Sequence, residues 1–169
     1  MKRLATLVIA ALGFAAPLLA QTSVANVPPP VSLSGPRMGV TFINDEAKAN
    51  LAAHDVIVSN ALSQFGWQFE KRFYTNPNGL HALNEWVVLF GGLDQGVMLP
   101  SLNWLAGLRT REGAEFGIGP NFTPLGVGLV VAAGTTFKAG SMNVPVNVAI
   151  VPSKTGVRYS VMTGFNFRR

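Results

Sequence analysis

The sequence predicts an all-β fold: a single antiparallel up-and-down β-barrel of about eight strands, with one helical segment between strands one and two. The C-terminal segment carries the clearest signal. Val157, Tyr159, Val161, Phe165 and Phe167 fall on one side of an extended chain, and Arg158, Ser160, Met162, Gly164, Asn166 and Arg168 on the other. Upstream, segments rich in Val, Phe, Trp and Thr alternate with Gly, Pro and Asn turns, as hairpin-connected strands do. Only 12% of residues are charged, about half the share usual in globular domains.

Lys2 and Arg3 precede an apolar run from residue 4 to residue 19, and Ala20 ends a small-residue site. Residues 1–20 therefore read as a cleavable secretory signal peptide. Residues 21–36 contain Pro28-Pro29-Pro30 and little periodicity, and read as an extended leader. The barrel domain is expected over residues 37–169. Its strands are expected at residues 37–43, 65–74, 80–91, 98–109, 113–119, 125–138, 142–151 and 156–167. Pro100 and Pro145 interrupt two of them. Between strands one and two, Asn44 suits an N-cap, and Asp45 and Glu46 suit the first turn. Ala47, Leu51, His54, Val58 and Leu62 then form a helical stripe, which the β-branched run Val56-Ile57-Val58 works against. A cap on the barrel rim and a plug folded into the lumen both satisfy that stripe.

Parity separates two sets of side chains. Trp67, Phe69, Phe73, Trp86, Trp104, Phe116, Ile118 and Phe137 point outward with the terminal aromatics. Gln68, Glu70, Arg72, Glu85, Asn103, Arg109, Glu115, Asn143, Asn147 and Arg158 point inward. Apolar outside and polar inside is the arrangement of a membrane barrel and the inverse of a soluble one. Lys71 breaks the pattern. The expected lumen network is structural: Glu70, Glu85 and Glu115 paired with Arg72, Arg109 and Arg158, since an unpaired charge in a narrow lumen is costly. A solute path and a carboxylate active site are the competing readings of the same residues.

Other chemistry finds little support. There is no cysteine, so disulfides, thiolate metal sites, thiol nucleophiles and a lipid-modified N-terminal Cys are excluded. The net charge is +5, and the cations are scattered, which does not suggest a nucleic-acid partner. His54 and His81 lack metal-ligand spacing to other strong ligands, so no metal site is expected. The glycine-rich stretches at residues 91–96 and 117–121 do not lead from a strand into a helix, as phosphate loops do. No catalytic residue and no cofactor are expected.

Phe65-Gly-Trp-Gln-Phe-Glu70, Glu85-Trp-Val, Leu99-Pro-Ser-Leu-Asn-Trp-Leu105, Gly107-Leu-Arg109 and Glu115-Phe-Gly-Ile-Gly-Pro-Asn121 resemble a group of small exported bacterial proteins without assigned activity. In architecture the chain is similar to small eight-stranded outer-membrane barrels. Lipid A deacylases of that architecture carry a His-x-Ser pair, and His81-Ala82-Leu83 departs from it. The resemblance implies a Gram-negative cell outer membrane, contact with outer-membrane lipid, and insertion by the barrel-assembly machinery. That machinery reads a terminal aromatic, here followed by Arg168 and Arg169. The expected function is a non-enzymatic barrel with a structural or surface-binding role and an unspecified surface ligand. The alternatives are a soluble periplasmic lipocalin-like carrier of an apolar ligand, suggested by the third strand's two apolar faces, a narrow pore, and a lipid-acting enzyme with His54 or His81 as base.

Overall fold

The computed structural model describes residues 32–154 and 156–167. The signal segment, residues 21–31 of the leader, Thr155, Arg168 and Arg169 lie outside them. The element order is β1 (Gly35–Ile43), α1 (Asp45–Ala52), β2 (Ala61–Thr75), β3 (His81–Gly91), a 3-10 turn (Leu93–Gln95), β4 (Leu99–Arg109), β5 (Ala114–Thr123), β6 (Gly126–Ala139), β7 (Met142–Val151), β8 (Arg158–Gly164) and β9 (Asn166–Phe167). The sheet runs β6-β5-β4-β3-β2-β1-β8-β7, and β6 also pairs with β7. The result is a closed, all-antiparallel barrel of eight strands, in which the first and last strands of that order, β6 and β7, pair with each other.

The eighth strand, expected as continuous, is broken at Phe165. Pro145 explains the break. On β7 it faces Gly164, next to the gap, and its ring nitrogen has no hydrogen to donate. The register on either side is unchanged: Val146 faces Thr163, and Asn143 faces Asn166. β9 thus continues β8.

Other boundaries also move. β5 extends to Thr123, so the loop expected at residues 120–124 is mostly strand. The cost falls on its pairing with β4, which lapses around Gly119 and Pro120. A Cβ on Gly119 would sit 1.8 Å from the Trp104 carbonyl oxygen, so only glycine allows this close approach. The leader ends earlier than expected. Ser34 already lies against β2, its hydroxyl accepting from the Glu70 amide at 2.9 Å.

The helix is shorter than its stripe. Asn44 caps it through Oδ1, which accepts from the Ala47 amide at 3.0 Å. Asp55 stops it by taking positive φ, and the Val56 amide returns to the Leu51 carbonyl at 3.0 Å. Val58 and Leu62 join Ile43, Ala47 and Leu51 in one buried cluster from extended chain, Leu62 from β2 itself. The stripe reported burial correctly for Ala47, Leu51, Val58 and Leu62 but not for His54, which is exposed, and it overstated the helix length. Burying Leu51 contributes about 2 kcal/mol to holding α1 across the barrel end. Val97, Leu99 and Leu125 pack on the same cluster, which makes α1 a lid on the rim.

All the strand connections therefore sort by end. The helix end carries residues 44–60, 92–98, 124–125, 152–154 and 156–157; the opposite, terminal end carries residues 76–80, 110–113 and 140–141, together with Gly35 and Phe167.

Candidate functional site

The strand pleat places every second side chain in the lumen, and the lumen divides along its length. At the terminal end, Arg109 on β4 reaches across β3 to Glu70 on β2, its Nη1 donating to Oε1 at 2.8 Å. A second contact joins Nη2 to Glu70 Oε2. Arg109 Nε donates to Glu115 Oε1 on β5 at 2.7 Å, and the Thr136 hydroxyl donates to the same oxygen at 3.2 Å. These side chains are almost fully withdrawn from solvent, with side-chain exposures of 7% for Arg109, 1% for Glu70 and 7% for Glu115.

Arg37 on β1 adds a second buried cation. Its Nε donates to Gln68 Oε1 at 2.9 Å, and its Nη2 to the Leu33 carbonyl at 2.7 Å. Leu33, with 1% exposure, is thereby held at the same end, and Asn166 Nδ2 bonds the Ser32 carbonyl beside it. The sequence parity of β1 offered this signal, since Arg37, Gly39 and Thr41 alternate with Met38, Val40 and Phe42.

Toward the helix end lies a cavity of about 430 Å³. Glu85 and Arg158 line it, and Glu70, Arg109 and Glu115 do not. One wall is apolar, built from Leu105, Val130 and Val151 with Val87, Ala132 and Ala149 against them. The other is polar and carries Thr41, Gln64, Gln68 and Ser160. Ala47, Leu51, His54 and Val56 cover the top. His54 is exposed yet lines the cavity, as is Met98, so the opening lies between the end of α1 and residues 92–98.

The expected set of charges is therefore only partly brought together. Arg109 joins Glu70 and Glu115. Arg72 is inward and half-buried farther toward the terminal end. Glu85 sits opposite Glu70 in the β2–β3 register, yet among the described residues no hydrogen bond or ion pair reaches its carboxylate. Arg158, expected to pair with a carboxylate, instead donates from Nη2 to Asn121 Oδ1 at 2.7 Å. Asn121 lies in the stretch expected as loop, so its parity gave no warning. Its Nδ2 donates to Asn103 Oδ1 at 2.7 Å and Ser101 Oγ at 2.8 Å. Asn103 in turn donates to the Val87 carbonyl at 3.2 Å. A further polar group, Gln64 Oε1, is buried against the cavity with no partner among the described residues.

The connections at the helix end are tied to one another. Gln95 Oε1 accepts from the Ser59 amide at 2.6 Å, and its Nε2 donates to the Ala61 carbonyl at 2.7 Å. Asp94 accepts from the Ser63 hydroxyl and, at 3.1 Å, from the Ser63 amide. The Ser63 hydroxyl first, then the Gln95 amide, holds the Asp94 carboxyl below the usual carboxylate range.

Among the described residues no group of His, Asp and Glu side chains is placed to hold a metal ion, and no helix is long and apolar enough to cross a membrane. Comparison of the chain with protein-family models, with curated proteins and with solved structures finds no match.

Proposed function

We propose that this chain is an outer-membrane β-barrel with a structural or surface-binding role, which presents α1 and residues 92–98 outside the cell. The observation that carries this reading is the barrel exterior. Large apolar side chains stand in solvent around the wall, among them Trp67, Trp86, Trp104, Leu108 and Ile118, while the ion triad is buried inside. A soluble barrel would expose its charges and bury these rings.

The aromatic residues are also distributed by height. Phe42, Phe65, Phe90, Phe122 and Tyr159 lie toward the helix end, and Phe73, Phe116, Phe137, Phe165 and Phe167 toward the terminal end, all exposed. Two such girdles flanking an apolar band match the two faces of a bilayer. Lys71, the exception in the outward set, lies near the terminal end of β2, where its ammonium would reach a head-group layer. The terminal-end connections are all short and both ends of the barrel lie there, while the long connections lie at the helix end beside one short turn at residues 124–125, close to the pattern of outer-membrane barrels whose turns face the periplasm.

The narrow-pore reading is weaker, because Leu33, Arg37 and the Arg109 triad occupy the terminal end of the lumen. The carrier reading draws on the cavity, yet leaves the exposed belt unexplained. Membrane fractionation, with electrophoresis before and after boiling, tests the proposal. Outer-membrane recovery with a heat-dependent shift in migration is expected. A protein that stays in solution without detergent and shows no shift would overturn it.

A further inference from the structure

The cavity contains a cation without an anion. Arg158 has five N–H groups, and among the described residues its one hydrogen bond goes to Asn121 and no carboxylate lies within ion-pair distance. Its orientation is fixed from behind. Asn103 donates to a backbone carbonyl, which obliges its oxygen to accept from Asn121, and Asn121 must then present its own oxygen to Arg158. The remaining guanidinium edge is left for the cavity. A partly buried, unpaired guanidinium is costly, and its planar fork matches a carboxylate.

Beside it stands the apolar wall of Leu105, Val130 and Val151. The far end of the cavity carries Glu85 and Arg37, and the Arg37 guanidinium is already held by Gln68 and the Leu33 and Pro36 carbonyls. Arg158 is thus the lining guanidinium with donors to spare, it stands beside an apolar side, and the volume of about 430 Å³ falls within the range of small-molecule pockets.

We propose that the cavity is a binding site for a single-chain amphiphile with a carboxylate head. The head pairs with Arg158 beneath the lid, and the chain lies along Leu105, Val130 and Val151. Entry is from the helix end, past His54 and Met98. The proposal needs the barrel and its cavity but not the membrane, so it goes beyond the function proposed above.

The test is equilibrium binding of radiolabelled decanoate to the folded chain held in an amphipathic polymer, beside decylamine, decanol and empty polymer. Saturable binding of one decanoate per chain is expected, with decylamine and decanol weaker. Arg158→Gln should weaken decanoate binding about tenfold or more while leaving decanol unchanged. Circular dichroism checks that the variant is folded. Decylamine binding more tightly than decanoate, or no saturable decanoate binding, would overturn the proposal with the unaltered chain alone. Equal decanoate affinity in a folded Arg158→Gln variant would overturn it too. Should fractionation find the chain soluble, the same assay runs without polymer, so failure of one proposal is distinguishable from failure of the other.

Discussion

Arg109 and Glu70 meet across an intervening strand, Nη1 to Oε1 at 2.8 Å, and so bind β4 to β2 through the lumen and not along the wall. Glu115 takes the third edge of the same guanidinium. Removing Arg109 would strand two carboxylates in a space that excludes water. Arg109→Met is expected to destabilise the barrel by about 3–5 kcal/mol, read from urea unfolding of the refolded protein. Replacing all three partners with apolar residues of similar size should restore most of that loss, because the cost lies in the unpaired charges.

The outer face makes predictions of different size for the two leading readings. Ile118 lies midway along β5, points outward and is 41% exposed. In a bilayer, Ile118→Arg should cost about 2–4 kcal/mol and reduce the folded fraction in lipid vesicles. In a soluble barrel the same change would stay within about 0.5 kcal/mol, as surface substitutions usually do. Unfolding of the variant in vesicles separates these outcomes.

The legibility of this chain follows from the range of each interaction. Parity was readable because a two-residue period needs only neighbours, and Arg158, Ser160 and Met162 line the cavity as that period predicts. Cross-lumen partners were not readable. Arg109 and Glu70 are brought together by strand tilt and register, which no local pattern contains. Arg158 was assigned a carboxylate by charge alone, whereas its partner Asn121 lay in a stretch where two prolines signalled a loop. The helix stripe misled for a related reason: Val58 and Leu62 share the lid's apolar cluster through folding of extended chain, which mimics helical spacing.

Asn44 joins the lid to the wall. Its Oδ1 accepts from Ala47 in α1 at 3.0 Å and from the Val157 amide, just before β8, at 3.1 Å. Asn44→Ala removes both. The cap alone is worth about 1 kcal/mol, and the Val157 amide loses its acceptor as well. Faster proteolytic cleavage within residues 44–60 is expected, with global unfolding changed little, because the lid packs on the rim and leaves the strand ladders intact.

Acid should loosen the neighbouring connection. The Asp94 carboxyl has a folded-state pKa below its unfolded one, so its contribution is fully present above the unfolded value of about 3.9. That contribution fades as pH falls through the lower folded value. Protonation withdraws an acceptor from Ser63 and lets residues 92–98 move away from the start of β2. Because Asp94 is fully exposed, the effect is local. Hydrogen exchange at the Ser63 amide should accelerate relative to other β2 amides as pH drops below about 4. Asp94→Asn should remove that added pH dependence, since its side-chain oxygen still accepts from Ser63 but no longer titrates. A persistent acid-dependent increase in the variant would place the responsible group elsewhere on the rim.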